Sequence, residues 1–254
     1  MAWNPDLYLT FQAYRERPAL DLLAQVDLDS PQVIYDLGCG TGDMARRMAD
    51  RWPNARVTGI DSSPDMLGKS RAGGGRVLWV QGDVATFQAE PKADLLFTNA
   101  VFNWVPRHDV VLPRLLASVK SGGMLALQMP RIYQQAAQRE ITAAVREGPW
   151  RDRLHAAFLD EPVQPPEAYY PMLAPHARSV DIWETNYIHV LTGDNPVLTW
   201  MAATALRPFY DVLEGAERQR FEDDVAARLR RAYPVEADGR TLFPLQRLFI
   251  VARR

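Results

Sequence analysis

Cysteine is almost missing from this chain: Cys39 is the only one in 254 residues. A single thiol excludes an internal disulfide and any metal site built from paired cysteines. Its place inside a cluster of glycines suits a small buried filler rather than a nucleophile. Histidine is scarce too, and His108, His155, His176 and His189 lie far apart. No two share the short spacing that puts ligands on one helix face or strand pair, so no metal centre is expected. Lysine is confined to Lys69, Lys92 and Lys120, leaving arginine to supply the rest of the 29 basic residues. Against 31 acidic residues they give a formal charge of −2 with no basic block, which disfavours a nucleic-acid partner. Nowhere do about eighteen apolar residues run together, and the start Met1-Ala2-Trp3-Asn4-Pro5-Asp6 has no basic segment leading into an apolar one. A cytoplasmic protein with no membrane or protein partner is the expectation. The arginine excess reflects either genome composition or planar forks placed for carboxylates, and composition does not choose between them.

With 47 % hydrophobic residues the chain can fill a sizeable core. Its most informative stretch is Val33-Ile34-Tyr35-Asp36-Leu37-Gly38-Cys39-Gly40-Thr41-Gly42-Asp43. Val33, Ile34 and Tyr35 favour a buried strand. Gly38, Gly40 and Gly42 then remove the side chains that would hold a ligand off the backbone. The spacing G-x-G-x-G differs from the dinucleotide pattern G-x-G-x-x-G, and no Lys-Ser or Lys-Thr pair follows as in a P-loop. Both differences tilt the ligand away from NAD and ATP. A second short strand, Arg56-Val57-Thr58-Gly59-Ile60-Asp61, ends in an acid. A carboxylate at that strand tip can accept bonds from ribose hydroxyls.

Further along, the helical spacing of Met44, Ala45, Met48 and Ala49 predicts a crossover helix ending at Trp52-Pro53-Asn54. Ser62-Ser63-Pro64 looks like a helix cap with proline in the first turn. Strands are expected at Arg76–Val80, Ala93–Thr98, Met124–Met129, Ser179–Leu191 and Gln246–Ala252. Helices are expected at Pro18–Val26, His108–Lys120, Asn195–Leu206 and Ala216–Tyr233, with Ser121-Gly122-Gly123 as a turn. Residues 1–15 read as an arm rich in aromatics, within an N-terminal cap at 1–30, that either covers the core or closes over a site with Trp3, Tyr8 and Tyr14 inward. One domain is expected, with a core at 31–130 and helical substrate-side insertions at 131–175 and 193–240.

The run hydrophobic-Asp-Leu-Gly-Cys-Gly-Thr-Gly followed by Gly-Ile-Asp-Ser-Ser-Pro resembles the first two motifs of class I S-adenosylmethionine-dependent methyltransferases. Stretches along the whole chain are similar to the trans-aconitate methyltransferase family in particular. They are Trp3-Asn4-Pro5, Leu7-Tyr8-Leu9, Gln128-Met129-Pro130, Val180-Asp181-Ile182-Trp183, Leu206-Arg207-Pro208 and Arg247 to Arg254. The resemblance implies an α/β doubly wound, mostly parallel seven-stranded sheet in the order 3-2-1-4-5-7-6, with strand seven antiparallel. It also implies S-adenosylmethionine as cofactor, held by Asp36, Gly38, Gly40, Gly42, Asp61, Ser62, Asp83 and Asn99. The implied substrate is a small polycarboxylate, trans-aconitate, with Arg207, Arg131, Arg247, Tyr8 and Trp104 as candidate contacts. Where amide-forming enzymes of this fold carry Asp/Asn-Pro-Pro-Tyr/Phe, this chain has Asn99-Ala100-Val101, which disfavours base or amide methylation. A carboxylate is already ionised at neutral pH, so no general base is expected. An amine or phenol acceptor would need one near Asn99 to Trp104, and His108 is the only histidine close in sequence.

Overall fold

The computed structural model describes residues 12–132, 135–157 and 163–254. The chain divides into two compact units, each with its own core. The first comprises the described residues within Arg17–Pro130, Pro162–Thr185 and Arg247–Arg254, and the second those within Met1–Glu16, Arg131–Glu161 and Asn186–Gln246.

In the first unit, strands β1 (Val33–Leu37), β2 (Arg56–Asp61), β3 (Leu78–Gln81), β4 (Ala93–Asn99) and β5 (Val119–Pro130) are parallel. With β6 (Ser179–Leu191) and β7 (Thr241–Arg253), which contribute residues to both units, they form a seven-stranded sheet in the order β3-β2-β1-β4-β5-β7-β6. Strand β7 runs antiparallel to β5. This is the order and polarity that the family resemblance implies. Helices α1 (Gln12–Ala24), α2 (Asp43–Arg51), α3 (Pro64–Ala72) and α4 (His108–Ala117) belong wholly or partly to this part of the chain. Helix α2 buries Met44, Ala45, Met48 and Ala49 on one stripe, and α3 is capped by Ser63, whose hydroxyl accepts from the Met66 N–H at 3.3 Å. The strand interiors Ile34, Leu37, Leu95, Leu96, Phe97, Leu125 and Leu127 have no exposed surface. Such near-continuous apolar runs belong to strands covered on both faces.

The second unit holds α5 (Ala136–Glu147), α6 (Arg151–Leu154), α8 (Pro196–Ala202), α9 (Arg207–Tyr210) and α10 (Gly215–Ala232), while α7 (Pro166–Leu173) lies in the first. Its core gathers Ile141, Val145, Trp150, Trp200, Phe209, Phe221 and Phe243. Tyr14 packs here, its ring centroid 4.7 Å from His189 and its hydroxyl donating to the Val190 carbonyl at 3.1 Å. Among the described residues no helix is long and apolar enough to cross a membrane.

Several boundaries differ from the sequence reading. Helix α1 begins at Gln12 and carries Pro18 inside it, at the cost of one intrahelical bond. Strand β5 starts at Val119 because Ser121-Gly122-Gly123 forms an irregularity within the strand rather than a turn before it: the register with β4 shifts between Ala93 and Leu95. A side chain at Gly123 would stand 2.7 Å from the Asp94 carbonyl oxygen. The helix expected through Leu206 stops at Ala202, where the Thr204 and Leu206 N–H groups both turn back to the Met201 carbonyl. Arg207 therefore opens a short helix of its own, restarted by Pro208.

Candidate active site

The glycine loop leaves β1 and is tied to β2 by its backbone: the Gly38 and Cys39 N–H groups donate to the Ile60 carbonyl at 2.7 and 2.9 Å. Its three glycines serve different ends. All have positive φ, at 70° for Gly38, 55° for Gly40 and 84° for Gly42. A Cβ at Gly38 would meet Val101 at 2.2 Å, and one at Gly42 would meet the Trp79 ring at 2.2 Å, so these two make room for protein. At Gly40 a Cβ would meet nothing within 4 Å. Only Gly40 faces open space, which refines the sequence expectation that all three clear a path for a ligand. Trp79, not anticipated from sequence, is wedged between the loop and β2, where a Cβ at Gly59 would also strike it at 2.4 Å. The Arg46 guanidinium lies over its ring at 5.6 Å.

Asp61, at the tip of β2, accepts from the Gly40 N–H at 2.8 Å and the Ser63 N–H at 2.9 Å. Each oxygen keeps acceptor capacity beyond those bonds, as hydroxyls of a sugar would need. Ser62 beside it is exposed. Asp83 follows β3 and Gly82, is exposed, and accepts from the Ala85 N–H at 2.8 Å through one oxygen. Asp36 is 2 % exposed and its Oδ2 has no partner. Burial pushes its carboxyl up to about 7, against the Ala45 backbone bond and with help from Asp61 and Asp43. Burial likewise holds the Cys39 thiol well above its ordinary range, so the sulfur stays protonated, in keeping with a filler.

At the end of β4, Asn99 has a buried Oδ1 without a partner. The next residue, Ala100, sits at φ 57°, a conformation unusual for a residue with a side chain. The turn is held by the Ala100 N–H donating to the Gln128 carbonyl at 2.8 Å. Asn103 donates to the Ala100 carbonyl at 2.9 Å and accepts from the Trp104 indole N–H at 2.7 Å. Trp104 is thereby fixed with 59 % of its surface exposed.

His108 is buried at 3 % exposure and closed into a network. Its Nε2 lies 2.8 Å from the Phe102 carbonyl, which only accepts, so Nε2 carries the proton. Nδ1 then accepts from the Tyr169 hydroxyl at 2.9 Å, and the Tyr169 oxygen accepts from the Gln164 N–H at 3.0 Å. Burial holds this imidazole below its ordinary pKa. Both nitrogens are committed, which removes His108 as a base for the turn it follows. Replacing His108 by Ala is expected to cost about 2–4 kcal/mol of stability through the cavity and the two stranded partners. Its kcat/KM should fall less than about tenfold, and stay flat from about pH 6.5 to 8.5 with saturating cofactor, as ordinary carboxylate pKa values require. A rising limb through neutral pH that disappears in the variant would overturn this role.

The candidate substrate residues are distributed. Arg247 lies in the first unit on β7, opposite Pro130, and is 5 % exposed. Arg131 and Arg207 lie in the second unit. Arg131 is half-buried directly after β5, its N–H bonded to the Gln246 carbonyl at 2.9 Å. Arg207 is exposed at the start of α9. Tyr8 and Trp3 lie outside the described residues. The structure thus brings Asp36, Gly40, Asp61 and Asn99 to the C-terminal ends of adjacent strands, where ligands of open α/β sheets bind. Free space at Gly40, acceptor capacity at Asp61 and unpaired acceptors on Asp36 and Asn99 fit a nucleoside that also carries positive charge. Gln128 is buried with both amide atoms unpaired and was missed in the sequence. Its signals there are a lone amide in the apolar run Met124 to Met129 and its place in the family-like stretch Gln128-Met129-Pro130.

Residues 34–123 match the family described as a methyltransferase domain. Solved structures with a similar fold include the YcgJ protein from Bacillus subtilis, with a TM-score of 0.61 at 14 % identity, covering 94 % of this chain and 99 % of that one. A putative methyltransferase from Bacillus halodurans gives 0.58 at 16 % identity, covering 92 % and 97 %. At such identities the likeness speaks for the fold alone. Sequence relatives are nearer: a trans-aconitate 2-methyltransferase of Azoarcus sp. strain BH72 is 41 % identical over 99 % of each chain. Another, of Paracidovorax citrulli strain AAC00-1, is 42 % identical over 99 % of this chain and 98 % of its own. This likeness spans both compact units, not the glycine loop alone, and on it the chain belongs to the trans-aconitate 2-methyltransferase family.

Proposed function

We propose that this chain esterifies one carboxylate of trans-aconitate with the methyl group of S-adenosylmethionine, giving the monomethyl ester and S-adenosylhomocysteine. The observation that carries the substrate is the end-to-end likeness to relatives of that name. When bound, the cofactor supplies a methyl group on a sulfonium, which a carboxylate oxygen takes while the C–S electron pair stays on sulfur. Asp61 receives the ribose hydroxyls, Asp83 the adenine amino group, and Gly38, Gly40, Gly42 and Ser62 supply the backbone around them. Asp36 and Asn99 present acceptors toward the positive charge.

An ionised acceptor needs no base, and the closed hydrogen-bond network around His108 accords with that. The work left to the protein is orientation, which can supply ~7–11 kcal/mol. Arg207, Arg131 and Arg247 are assigned to the carboxylates, since a guanidinium fork meets a carboxylate with two charge-assisted bonds. Trp104 is assigned to the substrate side, as is Tyr8, which lies outside the described residues.

Methyl transfer to a panel of di- and tricarboxylates, followed by mass spectrometry, tests the reading. A monomethyl ester of trans-aconitate formed faster than any other product is expected. Preference for an amine or phenol would overturn it. Arg207→Met should raise KM for trans-aconitate tenfold or more, about 1.4 kcal/mol, with cofactor affinity unchanged. A lower melting temperature with unchanged kinetics would make Arg207 structural.

A further inference from the structure

On one face of the sheet, three neighbouring strands carry near their ends polar side chains, Asp36, Asn99 and Gln128, each with at least one buried atom that finds no partner. Strand register defines that face. Asp36 lies beside Phe97, Asn99 beside Gln128, and Gln128 beside Phe249. Residues paired across strands share a face, and residues two apart return to it. Arg247, opposite Pro130, therefore stands on the same face as Gln128.

Gln128 is the extreme case. It has no exposed surface, and neither Oε1 nor Nε2 has a hydrogen-bond partner. The Oδ1 of its register partner Asn99 is buried and unpaired as well. An amide left so in an apolar strand is a standing loss of stability, and such groups call for an explanation. Bulk water does not reach it, so its partner must be enclosed with it. The Gln128 backbone carbonyl meanwhile holds the Ala100 N–H, and with it the left-handed turn that follows Asn99. Main chain and side chain thus act at the same spot.

The geometry points to Gln128 as the residue that receives the methyl-accepting carboxylate, its Nε2–H donating to the oxygen that does not attack. This rests on the function proposed above. A nucleophilic carboxylate must keep one oxygen electron-rich and free. An arginine fork would occupy both oxygens and draw charge from the attacking one. A single neutral donor orients the group without cancelling its charge. Arginines then suit the carboxylates that do not react.

Gln128→Met and Gln128→Glu, compared with the unaltered protein, test the assignment through trans-aconitate kinetics, S-adenosylmethionine calorimetry and melting temperature. For Gln128→Met, kcat/KM is expected to fall at least a hundredfold, mostly in kcat. Cofactor affinity should stay within threefold, and the melting temperature should hold or rise because an apolar chain replaces an unpaired amide. For Gln128→Glu, activity should be lower still at pH 8 and recover as pH falls and the introduced carboxyl regains a proton to donate. A Met variant within threefold of normal kcat/KM overturns the inference and leaves a buried water as the amide's partner. Should the Met variant not fold, a Glu variant with the unaltered protein's pH profile overturns it equally. Failure of the unaltered protein to methylate trans-aconitate would instead remove the proposed function, and this inference with it.

Discussion

Gly40→Val is expected to abolish S-adenosylmethionine binding, weakening it at least a hundredfold, about 2.7 kcal/mol or more. No protein atom stands where the new side chain would go, so the branched group fills the space left for the ligand. Two effects are mixed in such a variant. Gly40 has φ 55°, and a β-branched residue there is strained whatever the space, costing roughly 1–2 kcal/mol of fold stability. Gly74 separates them. It also has positive φ, at 64°, also has nothing within 4 Å of a Cβ, and is exposed at the end of α3. Gly74→Val should therefore lose similar stability and bind cofactor normally. Calorimetry showing equal binding in both variants would remove Gly40 from the site.

How much of this was legible beforehand follows from how local each feature is. The glycine loop, Asp61 and the Ser63 cap are written within a few residues each, so the spacing of Gly38, Gly40 and Asp61 conveys them directly. Distances in sequence hide the rest. His108 sits in a plausible place for a base, and only the meeting with Tyr169 across 61 positions shows that both its nitrogens are spoken for. Trp79 gives no sign in sequence that Gly42 and Gly59 are small on its account, since that depends on strand order. Gln128 becomes conspicuous only when register sets it beside Asn99. The irregularity at Ser121 to Gly123 looked like a turn because glycine pairs serve both purposes. The arginines are the least legible of all. A buried Arg247 and an exposed Arg207 carry the same letter, and nothing in their spacing distinguishes them.

Through Asp36, both stability and cofactor affinity are expected to depend on pH. The buried carboxyl has its pKa pushed up to about 7, first by burial and then by Asp61 and Asp43, against the Ala45 backbone bond. In the unfolded chain it titrates near the ordinary value of 3.8. The folded state therefore holds the proton more tightly. Between these two values the folded protein binds more protons than the unfolded one, so stability falls as pH rises through that window and levels off above about 7. A displacement of that size corresponds to up to ~4 kcal/mol. Asp36→Asn keeps the shape and removes the titration. Its stability relative to the unaltered protein should accordingly grow between about pH 4 and 7 and then stay constant. Cofactor binding should move the other way. A cationic ligand at the loop favours the ionised carboxylate, so its affinity for the unaltered protein should climb with pH toward neutrality, by up to about tenfold per unit. The Asn variant should bind weakly and without that dependence. Urea unfolding and cofactor titrations of both proteins from pH 4.5 to about 8 decide the matter. Parallel stability curves would mean that Asp36 is ionised throughout, and a cofactor affinity independent of pH would place its charge out of reach of the ligand.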